Sequence, residues 1–120
     1  MPGIDESARD AGVIEHMLLY CEQLQETLRE IDGDESRFLA SATYRNAVAM
    51  CILQLGELTK HLSPGFVTAH PQIPWRVMAR TRDHYAHHYG EMDFGLVWKT
   101  ATDDIPAVQR FCAAYLNAPE

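Results

Sequence analysis

The sequence predicts an all-α protein, an up-and-down bundle of four to five helices forming a single domain over residues 1–120. Three observations predict it. Apolar residues recur at three- and four-residue steps along four stretches, the spacing that lines one face of a helix. Turn-forming clusters separate those stretches, at Asp32-Gly33-Asp34, Ser63-Pro64-Gly65, Pro71 to Pro74 and Tyr89-Gly90-Glu91-Met92. No stretch of useful length alternates apolar and polar residues as a half-buried strand would, and there is no internal repeat.

The first helix is predicted from about Asp5 to Ile31, with Ile14, Met17, Leu18, Cys21, Leu24, Leu28 and Ile31 as its stripe. The second runs from about Ser36 to Leu62 and turns Phe38, Ala42, Val48, Cys51, Ile52, Leu55, Leu58 and Leu62 to one side. A loop with Pro71 and Pro74 follows. Pro74 suits the first turn of a third helix, where its missing N–H costs nothing, and that helix continues through Trp75, Met78 and Tyr85 to about His88. Asp93 is a good N-cap for the fourth, whose stripe is Val97, Trp98, Ala101, Ile105, Val108, Cys112 and Tyr115 or Leu116. Pro106 falls inside that stripe and should kink or interrupt it.

Bulk properties narrow the function. No apolar run approaches a membrane span, and the acidic N-terminus lacks the basic-then-apolar order of a signal peptide, so a cytoplasmic location without membrane contact is expected. Cys21, Cys51 and Cys112 are odd in number, far apart and set among apolar neighbours, which reads as reduced core thiols and not as a metal site. The net charge of −7 argues against nucleic-acid binding over the whole surface. It leaves room for a local basic site. Arg76, Arg80 and Arg82 fall within seven positions, and His84, His87 and His88 follow at once.

The chemistry therefore concentrates in Arg80-Thr81-Arg82-Asp83-His84-Tyr85-Ala86-His87-His88-Tyr89. Cleaving RNA without a metal needs a base for the ribose 2′-OH, an acid for the departing 5′-oxygen and a cation for the charge that builds on phosphate. Histidine serves the first two because its pKa lies near neutrality, and arginine serves the third through a permanently charged planar fork. Arg82 and His87 supply both types, but five residues place them about 140° apart around a helix. They would converge if the helix frayed before Gly90 or if two chains shared one site. Arg82 and Tyr89, seven apart, would share a face, and Arg76, Arg80, His84 and His87 would form a second row.

The segment Arg82-Asp83-His84-Tyr85-Ala86-His87-His88-Tyr89 resembles the motif of the HepT-like toxins, members of the HEPN superfamily: arginine, four residues, histidine, any residue, tyrosine. Pro71-Gln72-Ile73-Pro74-Trp75-Arg76, Leu55-Gly56-Glu57, Asp93, Val97-Trp98 and Asp104-Ile105-Pro106 are similar to the family's surrounding pattern, in order, over positions 13 to 116. The resemblance implies a HEPN-like helical fold and a homodimer, or a higher homo-oligomer, with the motif helices facing across a cleft. It implies ribonuclease activity on an RNA substrate, with Arg82 and His87 as the catalytic pair. Asp83, Arg80, His84 and His88 stand beside that pair as supporting residues, and no cofactor or metal is expected. It implies a partner, a nucleotidyltransferase antitoxin of the MntA type that adenylylates the motif tyrosine, here Tyr89. Asp83 departs from the Asn common after the motif arginine. A carboxylate there would pair with Arg82 or with a histidine, raising the latter's pKa, and would add negative charge where phosphate must sit.

Other readings of the same residues exist. Arg82 could be a surface arginine paired with a carboxylate, and His84, His87 and His88 have spacing that suits a metal. The fold could serve as a non-catalytic docking partner of a nucleotidyltransferase. His16, His61 and His70 read as surface histidines, Tyr85 as an interface aromatic, and Trp75 and Trp98 as packing anchors. Gly56 would allow close helix approach, and Glu57 would pair with a basic residue near the site.

Overall fold

The stripe beginning at Ile14 belongs to a helix longer than its apolar residues require. In the computed structural model, which describes residues 2–118 and side chains from Asp5 onward, α1 spans Pro2–Glu30. It stops because Asp32 and Gly33 take left-handed backbone conformations, with φ of 53° and 64°. Glycine carries no steric penalty there and aspartate a small one, and the Gly33 N–H donates back to the Leu28 carbonyl at 2.9 Å.

The second predicted helix is two helices. Asp34 caps α2, Glu35–Ala40, by accepting from the Ser36 and Arg37 N–H groups. Ser41 is extended, and its hydroxyl accepts from the Tyr44 N–H to open α3, Ala42–Thr59. A serine offers a helix start more than it offers a helix interior, so the break falls on it. The separate α2 delivers Phe38 to the core, fully buried, with its ring centroid 5.1 Å from Trp98.

The next segment, expected as a loop, contains a short α4, Pro64–Ala69, with Ser63 as its cap and Pro64 at its start. Asp10 of α1 holds that cap in place: its buried carboxylate accepts from the Ser63 N–H at 2.8 Å and hydroxyl at 2.7 Å. Helix α5 spans Trp75–His87, followed by a 3-10 turn over Tyr89–Glu91. Asp93 caps α6, Phe94–Lys99, as its position predicts. The interruption foreseen at Pro106 takes the form of a π-turn over Thr100–Asp104, in which the Ile105 N–H reaches the Thr100 carbonyl, before α7 runs Ile105–Asn117.

The fold is all-α, as predicted, with the long helices side by side: α1 lies between α3 and α7, and α5 packs on α3. Ile14, Met17, Cys21 and Leu24 of α1 meet Val48 and Leu55 of α3 and Cys112 of α7, all essentially without solvent exposure. Each such apolar side chain contributes about 1.5–3 kcal/mol through burial. The three thiols are free and buried. Burial pushes Cys21 up to about 12 and Cys112 up to about 11, and raises Cys51, which fits inert core residues. No helix among the described residues is long and apolar enough to cross a membrane.

His70 is not the surface residue expected. Its ring packs 4.4 Å from Phe66 and 5.2 Å from Phe111, and its carbonyl accepts from the Trp75 indole at 2.8 Å. Trp75 and Trp98 are packing anchors, as read from the sequence.

Candidate active site

The site begins with a missing side chain. A Cβ built on Gly56 of α3 would lie 2.5 Å from the Arg82 Cβ and 2.6 Å from the Met78 carbonyl oxygen of α5. Only glycine lets the two helices approach this closely. The approach brings the next residue, Glu57, beside Arg82, with Glu57 Oε2 3.6 Å from Arg82 Nε.

Two more charges complete the cluster. Asp83 Oδ1 lies 3.4 Å from Arg82 Nη1. Lys60, the C-cap of α3 and three residues past Glu57, lies 3.7 Å from Glu57 Oε1 and makes a tight ion pair with Asp83 Oδ1. The hydrogen bond from Lys60 holds the Asp83 carboxyl below its ordinary range, with help from Arg82 and some opposition from desolvation. Asp83 thus pairs with Arg82, as one branch of the expectation had it, and with Lys60 in place of a histidine. Met50, Leu53, Gln54, Glu57, Arg82 and Ala86 line a surface groove of about 240 Å³, so the Arg82 side chain, one-third exposed, is open to a ligand.

Arg82 shares its side of α5 with buried Trp75 and Tyr85, while Arg76, Arg80, His84 and His87 form an exposed row. Tyr85 is a core residue and not an interface aromatic: it is 8% exposed, and burial, with Asp93 second, raises its pKa. His87 is the last residue of α5, so the helix does not unwind ahead of it. Within one chain Arg82 and His87 stay about 140° apart around the helix. The His84 and His88 rings stand 4.9 Å apart, and His88 Nδ1 is 3.8 Å from Glu91 Oε2. Among the described residues no three His, Cys, Asp or Glu side chains are grouped to hold a metal.

Tyr89 departs from the helical reading. His88 leaves helical geometry at φ −134° and ψ 37°, and Tyr89 sits in the 3-10 turn beyond it. The seven-residue interval therefore does not place it on the face of Arg82. Its phenol donates to Asn46 Oδ1 of α3 at 2.7 Å, and the residue is 42% exposed. Asn46 and Glu57 are eleven residues apart on α3, about 16 Å along the axis, so Tyr89 and Arg82 engage that helix at different levels.

Two residues of this region escaped the sequence reading. Lys60 carried a signal, since a basic residue three positions after Glu57 shares its face of a helix. Asn46 carried none, because its bond to Tyr89 spans 43 positions of chain.

Comparison with known proteins agrees with the family resemblance. Residues 17–115 match the profile of the family described as Ribonuclease HepT-like. The chain is similar to the "Probable ribonuclease HepT" of Thermococcus cleftensis, 38% identical over 88 residues that cover 73% of this chain and 78% of that one. It is also similar to a candidate RNase of Caldanaerobacter subterraneus subsp. tengcongensis, 28% identical over 97 residues, covering 81% and 85% of the two chains. A candidate RNase of Methanocaldococcus jannaschii is 33% identical over 69 residues, covering 58% and 57%. No solved structure matches the chain significantly.

Proposed function

Because the chain belongs to the HepT-like ribonuclease family, we propose that it is the toxin of a toxin–antitoxin pair: a cytoplasmic, metal-independent endoribonuclease that acts as a homodimer through Arg82 and His87 and is silenced when an MntA-type nucleotidyltransferase adenylylates Tyr89. The observation that carries this reading is the placement of Arg82, pinned at the α3–α5 crossing by Gly56 with its guanidinium open to a groove, on the same helix that ends in an exposed His87.

The chemistry follows from those two groups. A histidine takes the proton of the ribose 2′-OH as that oxygen attacks phosphorus. The guanidinium stabilises the charge gathering on the non-bridging oxygens. The 5′-oxygen leaves with a proton from an imidazolium, and a 2′,3′-cyclic phosphate remains. The 140° between Arg82 and His87 favours a shared site, in which a two-fold axis beside α5 sets Arg82 of one protomer near His87 of its partner. The exposed row of Arg76, Arg80 and His84, with His88 next to it, then meets neighbouring phosphates. Adenylylation would join the Tyr89 oxygen to the α-phosphorus of ATP and release pyrophosphate. The AMP adds negative charge and bulk just past His87, where RNA would approach.

The test is cleavage of an RNA oligonucleotide in EDTA by protein free of tags. Cyclic-phosphate ends should form, and Arg82→Ala and His87→Ala should each slow cleavage by about a hundredfold. Activity lost in EDTA, or kept in both variants, overturns the mechanism.

One observation favours a second reading. Glu57 and Asp83 both lie within ion-pair distance of Arg82, as they would around a structural arginine. A protein that is adenylylated by its partner yet cuts no RNA would be a docking module.

A further inference from the structure

We infer that Lys60 is a positioning residue for Arg82: by holding Asp83 and sharing Glu57, it keeps the guanidinium available to an RNA phosphate. This rests on the reading of Arg82 as the catalytic cation.

The distances carry the inference. Two carboxylates crowd one guanidinium, and an arginine fork can donate to both. If it did, four of its five N–H groups would be taken and at most one would remain for a ligand. Yet neither contact on Arg82 is a good hydrogen bond, since Asp83 stands off at 3.4 Å and Glu57 at 3.6 Å. The tight contact of Asp83 is with Lys60. Glu57 is divided almost evenly, 3.6 Å from Arg82 and 3.7 Å from Lys60. With Lys60 the cluster holds two charges of each sign. Without it, two carboxylates would face one cation, and the local field would repel phosphate.

Lys60 has the means for this. Its ammonium carries three N–H donors, enough for both carboxylates. It caps the C-terminus of α3, so it is placed independently of the helix that bears Arg82 and Asp83. The depressed Asp83 carboxyl, held down by Lys60 first and Arg82 second, agrees with this ranking. Lys60 thereby offsets the acid that stands after the arginine in this chain.

The experiment compares wild type with Lys60→Met, Lys60→Arg, Asp83→Asn, Lys60→Met/Asp83→Asn and Arg82→Ala, each checked for folding by thermal melting. Lys60→Met should lower kcat/KM for RNA by about tenfold, with much of the loss in KM, as Asp83 closes on Arg82. Lys60→Arg should recover most of the rate. Removing the Asp83 charge in the double variant should recover it as well, which a merely structural role for Lys60 does not predict. By NMR titration the Asp83 carboxyl should move up toward its ordinary range in Lys60→Met. If Arg82→Ala cleaves like wild type, the Arg82 reading fails and this inference with it. If Arg82→Ala is inactive while Lys60→Met cleaves like wild type, Lys60 does not position Arg82. The same conclusion follows if Asp83→Asn fails to rescue Lys60→Met.

Discussion

Gly56 and Arg82 meet across the α3–α5 crossing with no room between them for a methyl group, the Arg82 Cβ standing 2.5 Å from where a Gly56 Cβ would be. One obstacle is a flexible side chain's root and the other is the Met78 carbonyl, so neither can move without moving α5. Gly56→Ala should therefore cost about 1–3 kcal/mol of stability and slow RNA cleavage together, as α5 is pushed off α3. Urea unfolding and a cleavage assay measure both. An alanine variant as stable and as active as wild type would show that the two helices are not held this close.

Asp83 sets an acid limb. Its carboxyl is held below the usual range near 3.9 by Lys60 and Arg82, so the folded state binds its proton less readily than the unfolded chain. The ion-pair contribution is present in full above that ordinary value and is lost as pH falls through the depressed one. Thermal melting at a series of pH values below about 4 should show wild type losing stability faster than Asp83→Asn, with parallel curves above about pH 5. Parallel curves throughout would mean that the Lys60–Asp83 pair does not persist in solution.

Assembly follows from the angle between Arg82 and His87. Helix α5 is regular up to His87, so a single protomer cannot converge the pair by unwinding. Light scattering at micromolar concentration should give twice the mass of the 13.6 kDa chain. An equimolar mixture of Arg82→Ala and His87→Ala should regain activity in hybrid dimers, since one of the two shared sites is then intact. A strictly monomeric protein with full activity would rule out the shared site.

Tyr89 presents its phenol at the surface, where it donates to Asn46. Co-expression with the cognate nucleotidyltransferase should add mass in whole AMP units on the peptide that holds Tyr89, and Tyr89→Phe should abolish the gain. Modification at buried Tyr85 or at Tyr115 instead, or full neutralisation of the Phe variant by the partner, would remove Tyr89 as the switch.

The sequence discloses the periodic parts of this molecule best. The α1 stripe, the stop at Asp32-Gly33 and the cap at Asp93 are local signals, and each appears where its chemistry places it. The break at Ser41 is hidden because Phe38 and Ala42, on either side of it, stand four residues apart, the spacing of one helical face. Six-residue α4 hid between turn-forming residues that read as loop. The motif from Arg82 to Tyr89 was legible as a string, while its geometry was not. Helix α5 ends at His87, so an interval counted in helical turns failed for Tyr89. His70 and Tyr85 looked peripheral because polar atoms on aromatic rings say little about the rings' neighbours, which are distant in sequence.

The π-turn between α6 and α7 makes chain length and proline content interdependent. A turn closed by an i→i+5 bond takes up one residue more than an ordinary helical turn. Deleting a residue between Thr100 and Asp104 would close it into a regular turn and still leave Val108 and Cys112 pointing inward, but the Pro106 ring would then collide with the carbonyl four residues earlier. Only the deletion joined with Pro106→Ala yields an unbroken helix with its buried stripe in phase. A deletion that a surface loop would absorb alone is therefore admitted here only together with a substitution at Pro106.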